Sequence, residues 1–316
     1  MRELRYTFAP MVKLGVIVTA ATLAILVLEF LRCRKKRYPL SGWFAIAALA
    51  GAEWLMFRGI EPVATYFTPI AWSAYLLIVD SAVWAITGRS RLRNAPRDFF
   101  QMALLSIPLW LIFEAYNLRL ENWNYTGVPR EMVWGLLGYC WSFATITPGI
   151  LETAELIESF GWFKRREEVA ISPRLCRNMM GIGVICLVLP LILWRHIAAY
   201  LFALVWVGFY LALDPLNYRL GLPSLLGDIS WGRRARFYSL LAAGWVCGWL
   251  WEFWNYWAAA KWHYIFPILQ RYKIFEMPAP GYLGFLPFAL ECFVMYVTAA
   301  WLVRWIPRSR DPRIME

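Results

Sequence analysis

Six carboxylates stand in apolar surroundings in this chain, and they come as three pairs: Asp80 with Asp214, Glu114 with Glu252, and Glu152 with Glu291. A carboxylate inside hydrocarbon costs several kcal/mol unless it is paired, protonated or facing water, so each is a candidate for function. Glu114 and Glu252 are followed one helical turn later by Asn117 and Asn255, amides on the same helical face that could accept a hydrogen bond from the protonated acid. A carboxyl held neutral at physiological pH is a general acid, able to protonate a greasy substrate. Beyond each acid comes Trp123-x-Tyr125 or Trp262-x-Tyr264, and Trp251 and Trp254 surround Glu252. Rings with a polar edge favour a membrane interface, and the same rings could wall a site and steady a developing carbocation by cation–π contact. Glu291 or Asp214, with Glu152 and Asp80 as counterparts, would take the final proton or position water. The structural alternative is that these acids pair with Arg58, Arg195 or one another and lock the chain's two halves together.

Other chemistries lack their residues. His196 and His263 are the only histidines and have no metal-ligand spacing, which argues against zinc. An all-carboxylate site for magnesium or a metal pair stays open, although its usual Asp-rich or Glu-x-x-His motifs are missing, as are the phosphate loop, nucleophile elbow and zincin motifs. No cofactor or metal is expected. Six cysteines without paired spacing make disulfides unlikely partners in the fold.

The elements that must position the acids are membrane helices. Apolar residues make up 60% of the chain and charged ones 17%, with 20 Trp and 16 Tyr. Apolar runs long enough to cross about 30 Å of hydrocarbon fall near 9–31, 40–58, 63–87, 99–118, 132–158, 178–195, 198–216, 238–258 and 281–304, nine spans in all. Five segments between them hold 22 of the 32 basic residues and lie on one side if nine spans are threaded. Basic residues accumulate on cytoplasmic loops, so the N-terminus is expected outside and the C-terminus in the cytoplasm. The +11 net charge then reads as a topology signal and an attraction to anionic lipid head groups; no base-stacking module suggests nucleic acid. The first span reads as a retained helix, since it lacks a small-residue cleavage site.

The order Glu, Asn, Trp-x-Tyr, Glu-Met, Gly-x-x-Gly, Pro-x-x-Leu-Glu runs once from Glu114 to Glu152 and again from Glu252 to Glu291. This reads as an internal duplication. The expected organisation is an extra helix with its basic loop (1–38), a four-helix repeat (39–160), a basic linker (161–177), a second four-helix repeat (178–304) and a basic tail (305–316). An even number of crossings keeps both repeats parallel, giving an all-α membrane bundle with a seam between halves. The paired Gly-x-x-Gly segments are expected to allow close helix packing.

The series acid, Trp-x-Tyr and LGFLPFALECFVMY resembles the integral-membrane lycopene cyclase domain family. The resemblance implies tandem helical repeats and redox-neutral, acid-initiated cyclisation of linear carotenoid ends. It would put Glu252 at the family's intramembrane Asp, Trp262 and Tyr264 at its aromatic pair, and Glu291 at its Pro-linked acid, with Glu114, Trp123, Tyr125 and Glu152 in the first copy. This chain departs in carrying Glu for Asp, Cys292 where a second acid is expected, and four helices per repeat.

The function expected from these observations is cyclisation, isomerisation or hydration of an alkene in a lipid-soluble isoprenoid, with Glu252 preferred as the acid. The partners are that substrate and membrane lipids, and the setting is a bacterial inner membrane. Two other classes stay open: a proton-coupled transporter, disfavoured by few Ser, Thr, Asn or Gln inside the spans, and a non-enzymatic lipid-binding or assembly protein.

Overall fold

The computed structural model describes residues 2–164 and 166–304, so the basic tail expected at 305–316 lies outside the described residues. The chain runs through α1 (Arg2–Cys33), α2 (Leu40–Phe57), α3 (Phe67–Thr87), α4 (Arg91–Asn94), α5 (Pro96–Leu120), β1 (Trp123–Thr126), α6 (Met132–Ala144) and α7 (Ile146–Ser159). It continues with α8 (Pro173–Ile192), α9 (Arg195–Ala198), α10 (Phe202–Arg219), α11 (Leu225–Ser230), α12 (Ala235–Trp257), β2 (Lys261–Tyr264), β3 (Lys273–Ile274), β4 (Met277–Pro278), a 3-10 turn (Ala279–Gly284) and α13 (Phe285–Leu302).

Six helical segments among the described residues are long and apolar enough to cross a membrane: Met11–Cys33, Leu40–Phe57, Phe67–Thr87, Pro96–Leu120, Pro173–Ile192 and Ala279–Leu302. The chain is therefore a helical membrane bundle. Three of the expected apolar runs differ for identifiable reasons. α12 is 23 residues long, but five Trp together with Glu252 and Asn255 make it less apolar, and most of its inward face is buried against protein instead of lipid. α10 carries Asp214, Asn217 and Arg219. The run 132–158 is broken at Thr145 into helices of 13 and 14 residues. Ser106 of α5 repairs the break: its hydroxyl donates to the Phe143 carbonyl (2.6 Å) and accepts from Thr147 N–H (3.0 Å). Backbone groups left open at membrane depth need such partners.

Local signals set the ends. Pro173 opens α8 behind Ser172, whose side chain accepts from Leu175 N–H. Gly88 ends α3 in the left-handed conformation at φ 80°. α7 and α13 lie at the middle of the bundle. α7 packs on α3, α5 and α12, and α13 packs on α10, α12 and α5. α2 packs along α3, α8 along α10, and α1 lies against α12 and β3.

The bundle is all-α apart from short ribbons in its connections. The two Trp-x-Tyr segments are strands that pair with each other, antiparallel, with Trp123 opposite Tyr264, Asn124 opposite His263, Tyr125 opposite Trp262 and Thr126 opposite Lys261. β3 and β4 form a second small ribbon. The Gly-x-x-Gly match also falls on unlike elements: Gly135 and Gly138 lie within α6, whereas Gly281 and Gly284 lie in the 3-10 turn, where the Trp206 ring fills the place of a Gly284 side chain.

Candidate functional site

Directly opposed residues of an antiparallel ribbon point to the same side, and alternate residues along a strand share a face. Trp123, Tyr125, Trp262 and Tyr264 therefore share one face of the β1–β2 ribbon, and all four line a cavity of about 130 Å³. Trp72 and Trp251 close another side, with Trp110, Trp206, Phe285 and Phe288 beyond them. Tyr66, Val128, Pro129, Gly138 and Tyr139 form the wall toward α6, whose Met132, Val133, Trp134, Leu136 and Leu137 are exposed on the outside of the bundle. A dry cavity of roughly 150 Å³ is known to hold one benzene ring, so this one takes a single ring-sized group.

Behind the tyrosines stand the two acids. Glu114 Oε1 accepts from Trp110 Nε1 (2.8 Å), Trp123 Nε1 (3.3 Å) and the Tyr125 hydroxyl. Glu252, with no solvent exposure, accepts from the Tyr264 hydroxyl at 3.2 Å. Its Oε2 and the Trp262 Nε1 are both buried without a hydrogen-bond partner. Burial, reinforced by the adjacent carboxyl groups, pushes the Tyr125 and Tyr264 phenols well above their ordinary range, so both keep their protons. Neither glutamate lines the cavity itself; each reaches it through its tyrosine.

The amides do something other than partner the acids. Asn255 donates to the Trp262 carbonyl (2.9 Å) and accepts from Trp262 N–H (2.9 Å). Asn117 donates to the Trp123 carbonyl (2.9 Å) and accepts from Asn122 and Trp123 N–H. Each asparagine thus imitates a neighbouring strand and pins the start of the Trp-x-Tyr segment to the helix that carries the acid. That is why tyrosine and acid meet.

The remaining candidates lie elsewhere. Both oxygens of Asp214 accept from the N–H groups of Leu225 and Leu226 at the start of α11, at 2.7 and 2.8 Å. Asp80 accepts from the Ser90 hydroxyl and Leu92 N–H, both at 2.9 Å. These two aspartates hold the loops that follow α3 and α10 and do not line the cavity. Glu152, fully buried, faces Arg91 Nε at 3.2 Å, which also bonds Glu155 at 2.9 Å. Glu291, equally buried, accepts from Phe209 N–H at 3.2 Å and leaves Oε2 without a partner. Arg195 pairs with Glu121 and Arg58 stacks on Trp54, so neither meets one of the six paired acids, and the ion pair formed by Glu152 is with Arg91. Trp254 bonds Glu53 (3.1 Å) and packs on Trp72 and Tyr75 instead of lining the cavity.

The sequence reading missed Trp72, Trp206, Trp110, Tyr139, Phe143, Phe285 and Phe288. Trp72 and Trp206 had a signal: each opens the segment that ends in the paired aspartate, at the same spacing. Trp110 lies one turn before Glu114, where an indole can reach the acid.

The site is thus an aromatic chamber with two acid–tyrosine pairs on its wall. It can carry a proton to an apolar guest and shield a cation with ring faces. No protein-family model, curated protein or solved structure compared with this chain is significantly similar to it.

Proposed function

We propose that this protein is an intramembrane enzyme that protonates an alkene in a lipid-soluble isoprenoid and lets it cyclise, isomerise or add water without redox change. One observation carries the reading: the Glu252–Tyr264 and Glu114–Tyr125 pairs open on the same ring-lined cavity. The Tyr264 hydroxyl turns toward the guest and gives its proton to the alkene carbon as Glu252 gives its own to the phenol oxygen. The resulting cation is flanked by Trp72, Trp251 and Trp262. A proton is then lost from a neighbouring carbon through Tyr125 to Glu114, whose three converging donors suit an acceptor. The guest enters sideways from lipid, past Tyr66 and Tyr139. The cavity admits the end of such a chain and leaves its length in the bilayer.

The architecture that goes with this function is nine spans, an extra first helix and two parallel four-helix repeats, and the likeness to the lycopene cyclase domain family belongs to the same reading. Matched detail supports the duplication: Asn117 and Asn255 pin equivalent strands, Asp80 and Asp214 hold equivalent loops, and α2 on α3 mirrors α8 on α10. The basic loops orient the N-terminus outside and the C-terminus in the cytoplasm, in a bacterial inner membrane.

The test is expression in cells that accumulate linear isoprenoids or carotenoids, with extracted lipids compared by mass spectrometry for wild type, Glu252→Gln and Glu114→Gln at matched protein levels. A product isomeric with its precursor, or heavier by one water, that disappears in Glu252→Gln is expected. An unchanged lipid profile with folded protein would remove the proposal.

A further inference from the structure

Buried polar side-chain atoms find hydrogen-bond partners in folded proteins, so one left without any calls for an explanation. Among the described residues, three such donors belong to side chains on the cavity wall: Thr68 Oγ1, Trp72 Nε1 and Trp262 Nε1. Trp262 repeats the place of Trp123, whose indole turns to the acid behind the ribbon, so its N–H belongs with Glu252. Thr68 and Trp72 are different. They lie one turn apart on α3, hence on one face of it, and both line the cavity. Thr68 is 9% exposed and Trp72 1%.

Neither donor is spent on the fold. Thr19, Ser73, Thr87, Thr153 and Thr298 each turn the hydroxyl back to the carbonyl four residues earlier, the usual resort of a helical hydroxyl. Thr68 does not, and the carbonyl four residues before it, of Ala64, accepts from Ala259 N–H at 3.3 Å. The Trp72 ring is held against Tyr75, Trp251 and Trp254, contacts that leave its N–H unused. Nor does the Thr68 hydroxyl belong to the shared skeleton. The interval that relates Asp80 to Asp214 and Trp72 to Trp206 takes Thr68 to Phe202, whose ring packs on Trp123 and Trp206.

We infer that the guest of the cavity is an oxygen-bearing isoprenoid, whose carbonyl or hydroxyl oxygen accepts from the Thr68 hydroxyl and the Trp72 N–H. The inference rests on the proposed reading of the cavity as the site of a lipid-soluble isoprenoid, and narrows it: a pure hydrocarbon leaves both donors unpaired. An indole N–H can only donate, so the group it meets must accept, and one carbonyl oxygen has lone pairs for two donors. Anchored on α3 by its oxygen, the guest presents its chain to the tyrosines of the ribbon on another wall. A site with buried donors rejects an analogue that lacks the acceptor, because those donors then stay unpaired.

The test reads binding, not turnover. The probes are geranylacetone, an acyclic isoprenoid ketone, and the hydrocarbon of the same skeleton with a methylene in place of the carbonyl. Apparent dissociation constants come from the rise in unfolding temperature of the full-length protein in detergent, at matched mole fractions of probe in the micelle. Wild type is expected to bind the ketone at least about tenfold tighter. Thr68→Val combined with Trp72→Phe keeps an isosteric side chain and a ring while removing two unpaired donors. The fold should hold, and the preference should shrink to less than about twofold with hydrocarbon binding kept. Should that double variant unfold, Thr68→Val alone should cut the preference about threefold. Equal binding of the two probes by wild type would overturn the inference and leave the apolar cavity reading standing, the donors then serving water. A preference that survives in the variants would overturn it too. Binding of neither probe would remove both the inference and the reading on which it rests.

Discussion

The two halves carry the same skeleton and finish it differently. One turn before the acid, the α5 half has Trp110, whose indole bonds Glu114; the α12 half has Gly248, and the Phe285 ring fills that space instead. Glu114 therefore collects three donors, while Glu252 has one donor and a buried oxygen with none. Two turns before the acid the contrast recurs. Ser106 bridges the α6–α7 break by hydrogen bonds, whereas Gly244 lets the Phe285 carbonyl of α13 come directly against α12. A common frame of Asn-pinned strands thus holds one acid that gathers three donors and one that keeps a buried oxygen without a donor. Under the proposed reaction this difference assigns the two acids opposite parts in proton transfer, Glu252 as donor and Glu114 as acceptor for one guest.

The most severe break of this comparison is at the donors. Glu252→Gln is expected to lower product formation about 100-fold or more, worth roughly 2.7 kcal/mol of barrier. Glu114→Gln should cost distinctly less, because losing a proton from a cation is easier than making the cation. Equal losses in lipid extracts of the two variants would erase the division of labour.

Next in size is the packing contrast. A methyl at position 244 would run into the Phe285 carbonyl, so Gly244→Ala is expected to destabilise the fold by about 2 to 3 kcal/mol. Ser106→Ala leaves one carbonyl and one N–H of the helix break without their partner and should cost about 1 to 2 kcal/mol. Thermal unfolding in detergent, followed by tryptophan fluorescence, ranks the two. A milder Gly244 variant would mean that α12 and α13 can separate more easily than their contact suggests.

Much of this was legible in the residues and some was not. Acids, asparagines and Trp-x-Tyr pairs stand out because polar residues are rare in these apolar runs, and their order repeats. That the asparagines serve the strands and not the acids was hidden, since spacing along a helix says which groups share a face and nothing about where the next segment returns. The pairing of β1 with β2 is a contact between segments far apart in the chain, which one sequence cannot reveal. Asp80 and Asp214 looked like chemistry because they are buried acids; Ser90 and Ser224, ten residues after each, marked the loops they hold. The break at Thr145 was masked by a continuous apolar run.

The asparagine frame comes third. Asn255 is fully buried, and its removal strands both the N–H and the carbonyl of Trp262, so Asn255→Ala is expected to cost about 2 kcal/mol. Asn117 is partly exposed, water can replace it in part, and Asn117→Ala should cost about half as much. The comparison sharpens if Asn255→Ala also lowers turnover beyond its effect on folded protein, because Tyr264 would then drift from Glu252. Turnover per folded molecule, with folding scored by detergent unfolding, separates the two effects.

The smallest expected effect is the most discriminating. Tyr125→Phe removes a hydroxyl from the cavity wall and one of three donors from Glu114, leaving Trp110 and Trp123 bonded to the acid. If Tyr125 lies on the acceptor side, cation formation through Tyr264 proceeds, and turnover should fall only about fivefold, roughly 1 kcal/mol. The cation would live longer, so products should spread toward alternative alkene positions and captured water. Tyr264→Phe should instead slow formation of every product about 30-fold and leave their ratio alone. In membranes supplied with unlabelled precursor lipid and transferred to heavy water, mass spectrometry of the lipids reads both the ratio and the single deuterium gained at the protonated carbon. A shifted ratio in Tyr264→Phe with a fixed one in Tyr125→Phe would reverse the roles of the halves while keeping the site.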